Sequence, residues 1–227
     1  MLRIGPSKRL FAAHESILSI SPFFASRCRS FSSRTRAPPR HPPARRIDLP
    51  DEQPEVFACV LEFLYKGDYS PRLRRDQEKG CWVVEGAMST EGEGGSSDDH
   101  PGATMFCAEV GGLILRDTAV YCAAEQYALP TLQRLALRKQ GLHVGISCST
   151  ILASARYAYA HTPDTESKLR AHYLALIVRC RETFKQSGTM QMEMERGGKM
   201  FFDLFVALCN HMDDMSPAAA VQASMAQ

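Results

Sequence analysis

The stretch that decides the fold is IDLPDEQPEVFACVLEFLYKG, which runs from Ile47 to Gly67. Ile47 and Leu49 flank a polar residue, and this alternation predicts a short strand. Pro54 suits the first position of a helix, where its missing N–H costs nothing, and Gly67 suits the C-terminal stop. The segment between them predicts an amphipathic helix, whose core-facing stripe would be Val56, Phe57, Val60, Leu61 and Leu64.

The stretch FAAHESILSISPFF, residues 11–24, precedes this unit and contains one histidine and several serines. It predicts the end of a short strand that turns into a helix near His14 to Ile20. His14 and Ser21 are seven residues apart on this helix, so their Cα atoms would be roughly 10 Å apart, too far for a nucleophile and its base. We therefore interpret His14 as a structural residue hydrogen-bonded to backbone.

Further helices are predicted after this region. DTAVYCAAEQYA begins at Asp117, a good N-cap residue, and Pro130 opens the helix PTLQRLALRK. Three more helical segments are SCSTILASARYAYA, ESKLRAHYLALIVRCRETF and KMFFDLFVALCNHM. We expect one domain over residues 1–142, a helical C-terminal extension over residues 143–215, and a flexible tail over residues 216–227.

Two stretches are irregular in composition. Residues 27–46 contain seven arginines, four prolines and no acidic residue, which predicts an exposed, extended basic loop. Residues from about 76 to 104 are rich in Gly, Ser and acidic residues at their centre, which predicts a disordered insertion. Brief protease treatment is expected to cut first between Glu85 and His100.

Composition narrows the class of protein. The 227 residues carry a net charge of only +2, so the average charge does not indicate nucleic-acid binding. The eight cysteines form no C-x-x-C pair, and the usual zinc-finger spacing is absent. The sequence shows no secretory signal and no apolar run of membrane-spanning length. We expect an intracellular protein, cytoplasmic or nuclear, with reduced thiols.

The order of these motifs resembles a BTB/POZ domain of the type common in filamentous fungi. The family pattern joins a histidine-containing strand-to-helix segment, a segment of the form L-P-D-D-x-P-E-x-F that ends in L-Y-T-G, and a closing helix. The matching residues are His14, Leu18, Ser21, Phe24, Leu49, Pro50, Asp51, Pro54, Glu55, Phe57, Leu64, Tyr65, Gly67, Ala124, Tyr127 and Leu132. The resemblance covers residues 4–142, with the 76–104 stretch as an insertion.

The resemblance implies an α+β fold, in which a small sheet packs on a mostly helical cluster that is followed by the C-terminal extension. It implies a protein–protein interaction module, an adaptor for ubiquitin ligation or transcriptional regulation, with no enzymatic activity and no cofactor. Partner contacts would involve Ile17, Phe24, Phe31 and Ser33. The family's leading strand, through which such domains exchange and dimerise, is missing here, so only a weak dimer or none is expected.

The resemblance also bears on a cullin partner. Cullin-binding members of the family carry a hydrophobic residue, any residue and a Glu after the first motif, and the hydrophobic residue inserts into the cullin. The corresponding residues here are Phe31, Ser32 and Ser33, followed by Arg34 and Arg36. The apolar anchor is kept and the acid is lost, which predicts weakened cullin binding.

Two other functions compete with this interpretation. The arginines of residues 27–46 could attract nucleic-acid phosphates, but only Phe31 could stack on a base, and a solvated loop is the simpler account. A metal enzyme could use His211, Asp213 and Asp214, although a helix end with surface acids explains them as well. The methionines of TMQMEMER are interpreted as packing residues rather than soft-metal ligands.

Overall fold

The computed structural model of the chain describes residues 1–32, 46–75, 81–85 and 102–215, and the side chains of residues 30–32 are not described. The chain divides into two compact units. The first comprises Met1–Met105 and Leu115–Val144, and the second comprises Phe106–Ile114 and Gly145–Gln227. The predicted tail, residues 216–227, lies outside the described residues. Most of the predicted insertion, residues 76–104, lies outside them as well.

The first unit contains a three-stranded sheet in the order β2-β1-β3. Its strands are β1 (Leu2–Ile4), β2 (Arg9–Phe11) and β3 (Ile47–Leu49). β1 pairs antiparallel with β2 and parallel with β3, so Leu2 lies between Phe11 and Ile47. Alternate residues of β1 and β3 are buried, as the apolar alternation predicted for β3.

The described part of this unit also contains five helices: α1 (Glu15–Leu18), α2 (Pro22–Ser32), α3 (Pro54–Lys66), α4 (Arg116–Gln126) and α5 (Pro130–Gln140). The prediction that residues 27–46 form an extended loop is wrong for residues 27–32, which belong to α2. Pro22 opens this helix and the next proline is Pro38, so nothing in between prevents helix formation. Residues 33–45 lie outside the described part.

The helix α3 confirms the central sequence prediction. Pro54 occupies its first turn, and Gly67 adopts a left-handed conformation with φ 75°, its N–H donating to the Phe63 carbonyl. Leu61, which we expected in the core, is only partly buried, whereas Cys59 is buried. The buried stripe is centred on Val60, and Leu61 lies at its edge because successive residues turn by roughly 100°.

The helix α4 corrects a second expectation. Its N-cap residue is Leu115, which makes no side-chain capping bond, and Asp117 lies inside the first turn. The Asp117 carboxylate is buried and binds side chains of the surrounding structure instead of the helix end. A sequence pattern cannot separate these two uses of an acid, because both place it near a helix N-terminus.

Part of the expected insertion is ordered structure. Strands β4 (Leu73–Arg75) and β5 (Trp82–Val84) pair antiparallel, and Val84 is buried. The Arg138 guanidinium lies 4.4 Å from the centre of the exposed Trp82 ring. The run Trp-Val-Val has high strand propensity. The polar residues that follow it in the sequence favour an irregular segment, and the prediction depends on them.

The second unit contains five helices among its described residues: α6 (Cys148–His161), α7 (Lys168–Arg179), α8 (Arg181–Gln186), α9 (Gly188–Arg196) and α10 (Lys199–Asp214). Its core cluster consists of Leu152, Ile177, Val178, Phe184 and Leu204. Strands β6 (Thr104–Cys107) and β7 (Gly112–Leu115) form a hairpin whose tip belongs to this unit. The protein is therefore α+β, with short strands and a majority of helix.

None of the helices in the described ranges is both long and apolar enough to cross a lipid bilayer.

Candidate functional site

Three motif residues of the first unit, one from each motif, meet in an aromatic cluster. Phe24, Phe57 and Tyr127 are fully buried, and they come from α2, α3 and the end of α4. The ring centres of Phe24 and Tyr127 are 4.8 Å apart, and those of Phe24 and Phe57 are 6.1 Å apart. Phe11 adds an edge-to-face contact on Phe57 at 5.2 Å. This cluster holds three separate sequence motifs in one core.

Ser21 connects two of these motifs through hydrogen bonds. Its buried hydroxyl donates to the Tyr127 carbonyl at 2.7 Å and accepts from the Phe24 N–H at 3.3 Å. The second bond is the usual N-cap interaction, three residues into the helix, with Pro22 at the first helical position. Ser21 therefore begins α2 and fixes it to the end of α4, which is a structural role.

His14 is also used structurally, with a different partner from the one expected. Its Nδ1 lies 2.6 Å from the Tyr65 hydroxyl, and its backbone N–H donates to the same hydroxyl at 3.0 Å. The prediction that the imidazole bonds to backbone is therefore wrong, since the ring bonds to a side chain. Two motif residues 51 positions apart in sequence are joined by this contact.

Several other motif residues lie at or near the ends of helices and strands. Leu49 is buried at the end of β3, and Leu64 is buried near the end of α3. Pro50 lies exposed in the turn after β3, and Pro54 begins α3. These positions shape the backbone and the core of the first unit rather than a concave pocket.

The four expected partner contacts have different surroundings. Phe24 is fully buried against Phe57 and Tyr127, so it has no surface to offer a partner, and its assignment as a contact is corrected. Ile17 is half-buried in α1. Phe31 lies in the last turn of α2, its side chain not described, and Ser33 is outside the described residues.

Two apolar side chains that sequence analysis overlooked do face solvent in this region. Leu10 in β2 is 56% exposed, and Ile20, just after α1, is 57% exposed. Ile20 follows Ile17 and Leu18 in the sequence, and helical periodicity alone would have placed it near the buried face of α1. The α1 helix ends at Leu18, so this periodicity does not extend to Ile20.

A buried polar cluster lies elsewhere in the first unit, and no sequence motif indicated it. The Asp117 carboxylate accepts a hydrogen bond from the Tyr69 hydroxyl at 2.5 Å and lies 2.7 Å from His143 Nε2. Burial, reinforced by the Asp117 charge, raises the pKa of Tyr69 well above its ordinary value. The phenol therefore stays protonated and donates to the carboxylate.

Lys139 is fully buried beside this cluster. Its ammonium donates to the Tyr69 and Pro71 carbonyls, pairs with Asp68 Oδ1 at 2.5 Å, and lies 3.6 Å from the centre of the Tyr69 ring. An ammonium has three N–H donors, and each has an acceptor here. We call Asp68, Tyr69, Asp117, Lys139 and His143 the buried polar cluster.

An Asp–His pair next to a lysine and a tyrosine has the residue types of an acid–base site. A catalytic group must reach the proton that it transfers. The Tyr69 and Lys139 side chains are completely enclosed, and the Asp117 and His143 side chains are 4% and 7% exposed. The arrangement joins the segment after α3 to α4 and α5, and we interpret it as structural.

Comparison with known proteins was made against family models, curated proteins and solved structures. None of the three comparisons finds a match to this chain. The residues and contacts of the chain itself are therefore the grounds for assigning it a function.

The candidate metal ligands are not gathered into a site. His211, Asp213 and Asp214 lie in the last turn of α10, with both carboxylates exposed. Within the described ranges, no group of three or more His, Cys, Asp and Glu side chains is arranged to hold a metal ion. The interpretation of the α9 methionines as packing residues is wrong for Met192 and Met194, both more than half exposed.

The reactivity of two cysteines tests whether α3 buries Cys59 in the first unit. Burial raises the pKa of Cys59 to about 11, while Cys81 is exposed. Only the thiolate attacks alkylating reagents, so iodoacetamide at pH 8 should label Cys81 more than about tenfold faster than Cys59. Peptide mass spectrometry over a time course measures both rates. Equal rates in the folded chain would show that α3 does not bury Cys59.

Proposed function

We propose that the chain is a protein–protein interaction module of the BTB/POZ type, acting inside the cell as an adaptor that recruits partner proteins. The observation that carries the proposal is the pairing of motif residues across the first unit. His14 meets Tyr65, Ser21 meets Tyr127, and Phe24 meets Phe57. The residues that resemble the family motif are used to build a scaffold, as expected of a domain that binds through its surface.

The polar chemistry of the first unit supports the same proposal. Its Asp–His pair and its buried lysine are bonded to internal partners. Apolar side chains near the first motif, in contrast, are directed to solvent at Leu10 and Ile20. Exposed apolar residues beside a rigid scaffold are suited to anchoring a protein partner.

The test is affinity purification of the tagged chain from its own cells, followed by mass spectrometry. We expect specific partners to be recovered and to be lost with Ile20→Asp, which places a charge at the exposed position. Val144→Asp is the matched control, because Val144 is also a well exposed apolar residue of the first unit. Recovery of ubiquitin-ligase components would identify the adaptor class, and recovery of chromatin proteins would identify a transcriptional regulator.

The same partners with both variants would argue against the first motif as the binding surface. A chain that recovers no partner above a tag-only control would contradict the proposed function itself.

For the cullin in particular, we expect the unmodified chain to bind weakly. Phe31 keeps the apolar anchor, but Ser33 replaces the acid, and Arg34 and Arg36 add positive charge. Ser33→Glu should strengthen binding by about tenfold, since charge complementarity at an interface is worth this much or more. A pull-down with purified cullin N-terminal domain, with Ser33→Gln as the uncharged control, measures the gain. Strong binding without dependence on Phe31 would contradict this prediction.

A further inference from the structure

The helix α10 has two apolar faces. Its inner face packs into the core of the second unit through Leu204, which is 3% exposed, with Met200 buried beside it. Its other face carries large apolar side chains in solvent, among them Phe202 and Phe205, which are 68% and 65% exposed. In a helix at the surface of a globular unit, the face directed to solvent ordinarily carries polar and charged residues.

These exposed residues form a continuous stripe. Positions spaced by three, four, seven and ten residues lie on one side of an α-helix. The residues that follow this spacing are Phe202, Phe205, Val206, Cys209 and Met212, of which all but the partly buried Cys209 are exposed, and we call them the outer stripe. Met212 is 69% exposed, so the stripe extends from the first turn of α10 to its last turn. Apolar surface of this extent is typical of an interaction site.

The charges at the two ends of α10 indicate what covers the stripe. Lys199, more than half exposed, is the first residue of the helix. Asp213 and Asp214, both exposed, lie at its C-terminal end. Lys199 precedes Val206 by seven residues, and Asp213 follows Val206 by seven. A second α10 that crosses antiparallel at Val206 therefore places each Lys199 opposite the partner's Asp213.

A parallel arrangement would bring Asp213 and Asp214 of both copies together, and like charges at an interface are unfavourable. The antiparallel arrangement also places the positive end of each helix dipole beside the negative end of the other. Its symmetry is that of a closed two-fold dimer, in which the same surface is used by both copies. Lys199 already bonds Asp164 at 2.7 Å, yet half of its side chain remains available.

We propose that the outer stripe of α10 is a self-association surface, which binds a second copy of this chain in an antiparallel, two-fold arrangement centred on Val206. The surface lies entirely in the second unit, and the proposal is independent of partner binding by the first unit. It also differs from dimerisation through an exchanged N-terminal strand. The family resemblance implies that mode, and we expect it to be weak or absent here.

Sedimentation equilibrium of the full chain tests the proposal. We expect a dimer at micromolar concentration and at least a tenfold weaker dimer for Phe205→Asp. Met192→Asp is the matched control, because Met192 is exposed to a similar extent on α9, outside the stripe. Thermal unfolding of each variant shows whether the second unit stays folded. A monomer at about 100 μM, or a dimer unchanged by Phe205→Asp, would overturn the proposal.

Charge exchange tests the orientation. Asp213→Lys and Lys199→Glu should each weaken the dimer, and the double variant should recover most of the loss. Val206→Cys should form an intermolecular disulfide under mild oxidation, at the crossing point of the two helices, whereas Met192→Cys should not. Deletion of residues 216–227 should leave the dimer unchanged. Dimerisation only after that deletion would show that the C-terminal segment, and not a second copy, covers the stripe.

Discussion

Phe57→Ala should destabilise the first unit by about 3–5 kcal/mol, the range for truncating a buried phenylalanine. The Phe57 ring is fully enclosed and contacts the rings of Phe11 and Phe24, one from β2 and one from α2. Removing it leaves a cavity where three elements meet. Closing that cavity would require the sheet and two helices to move together, so little relaxation is expected.

Leu61→Ala is the control, since Leu61 lies on the same helix and is only partly buried. It should cost less than half as much, because only part of its side chain leaves water on folding. Urea denaturation followed by circular dichroism, with a fluorescence probe at Trp82 of the first unit, measures both variants. A larger loss with Leu61→Ala than with Phe57→Ala would mean that α3 packs through a different face.

The parts of the fold that depend on local chemistry were predictable from the sequence. The limits of α3 follow from Pro54 and Gly67, which act on the backbone within one turn of their own positions. The strand β3 follows from the alternation of Ile47, Asp48 and Leu49. The start of α5 follows from Pro130 in the same way. In each case the decisive interaction lies within a few residues of the signal.

Features that depend on distant partners were not predictable. The burial of Leu61 depends on what packs against the edge of the α3 stripe, and periodicity gives no information about that edge. Asp117 matches an N-cap by sequence, and its actual partners, Tyr69 and His143, are 48 and 26 residues away. The outer stripe of α10 has the pattern of a core face, and only the structure shows that a different face of this helix is buried.

The buried ammonium of Lys139 shows why a charged group in the core needs a partner that is distant in sequence. A buried ammonium that loses its counter-ion retains its desolvation cost without the compensating attraction, and breaking such a pair costs about 3–5 kcal/mol. Asp68 is the counter-ion, and its carboxylate also accepts hydrogen bonds from the N–H groups of Tyr69 and Leu73. Asp68→Ala is therefore expected to cost about 3 kcal/mol, at the low end because Asp68 is one-quarter exposed.

Replacing the lysine as well should reverse part of this loss. Lys139→Met keeps most of the side-chain volume and removes the buried charge, so the double variant should be more stable than Asp68→Ala alone by about 1 kcal/mol or more. It should not regain full stability, because the Tyr69 and Pro71 carbonyls lose the donor that they share. Urea denaturation of both single variants and the double variant completes the cycle.

The exposed pair of Lys66 and Glu62 on α3 provides the comparison, with an N–O distance of 2.9 Å. Lys66→Met should cost less than about 0.5 kcal/mol, as is usual for a solvated pair four residues apart on a helix. If Asp68→Ala were as mild as Lys66→Met, the Lys139 ammonium would have to be hydrated or neutral rather than enclosed and charged. A double variant less stable than Asp68→Ala would lead to the opposite conclusion, that Lys139 stabilises the segment after α3 through its carbonyl contacts even without a counter-ion.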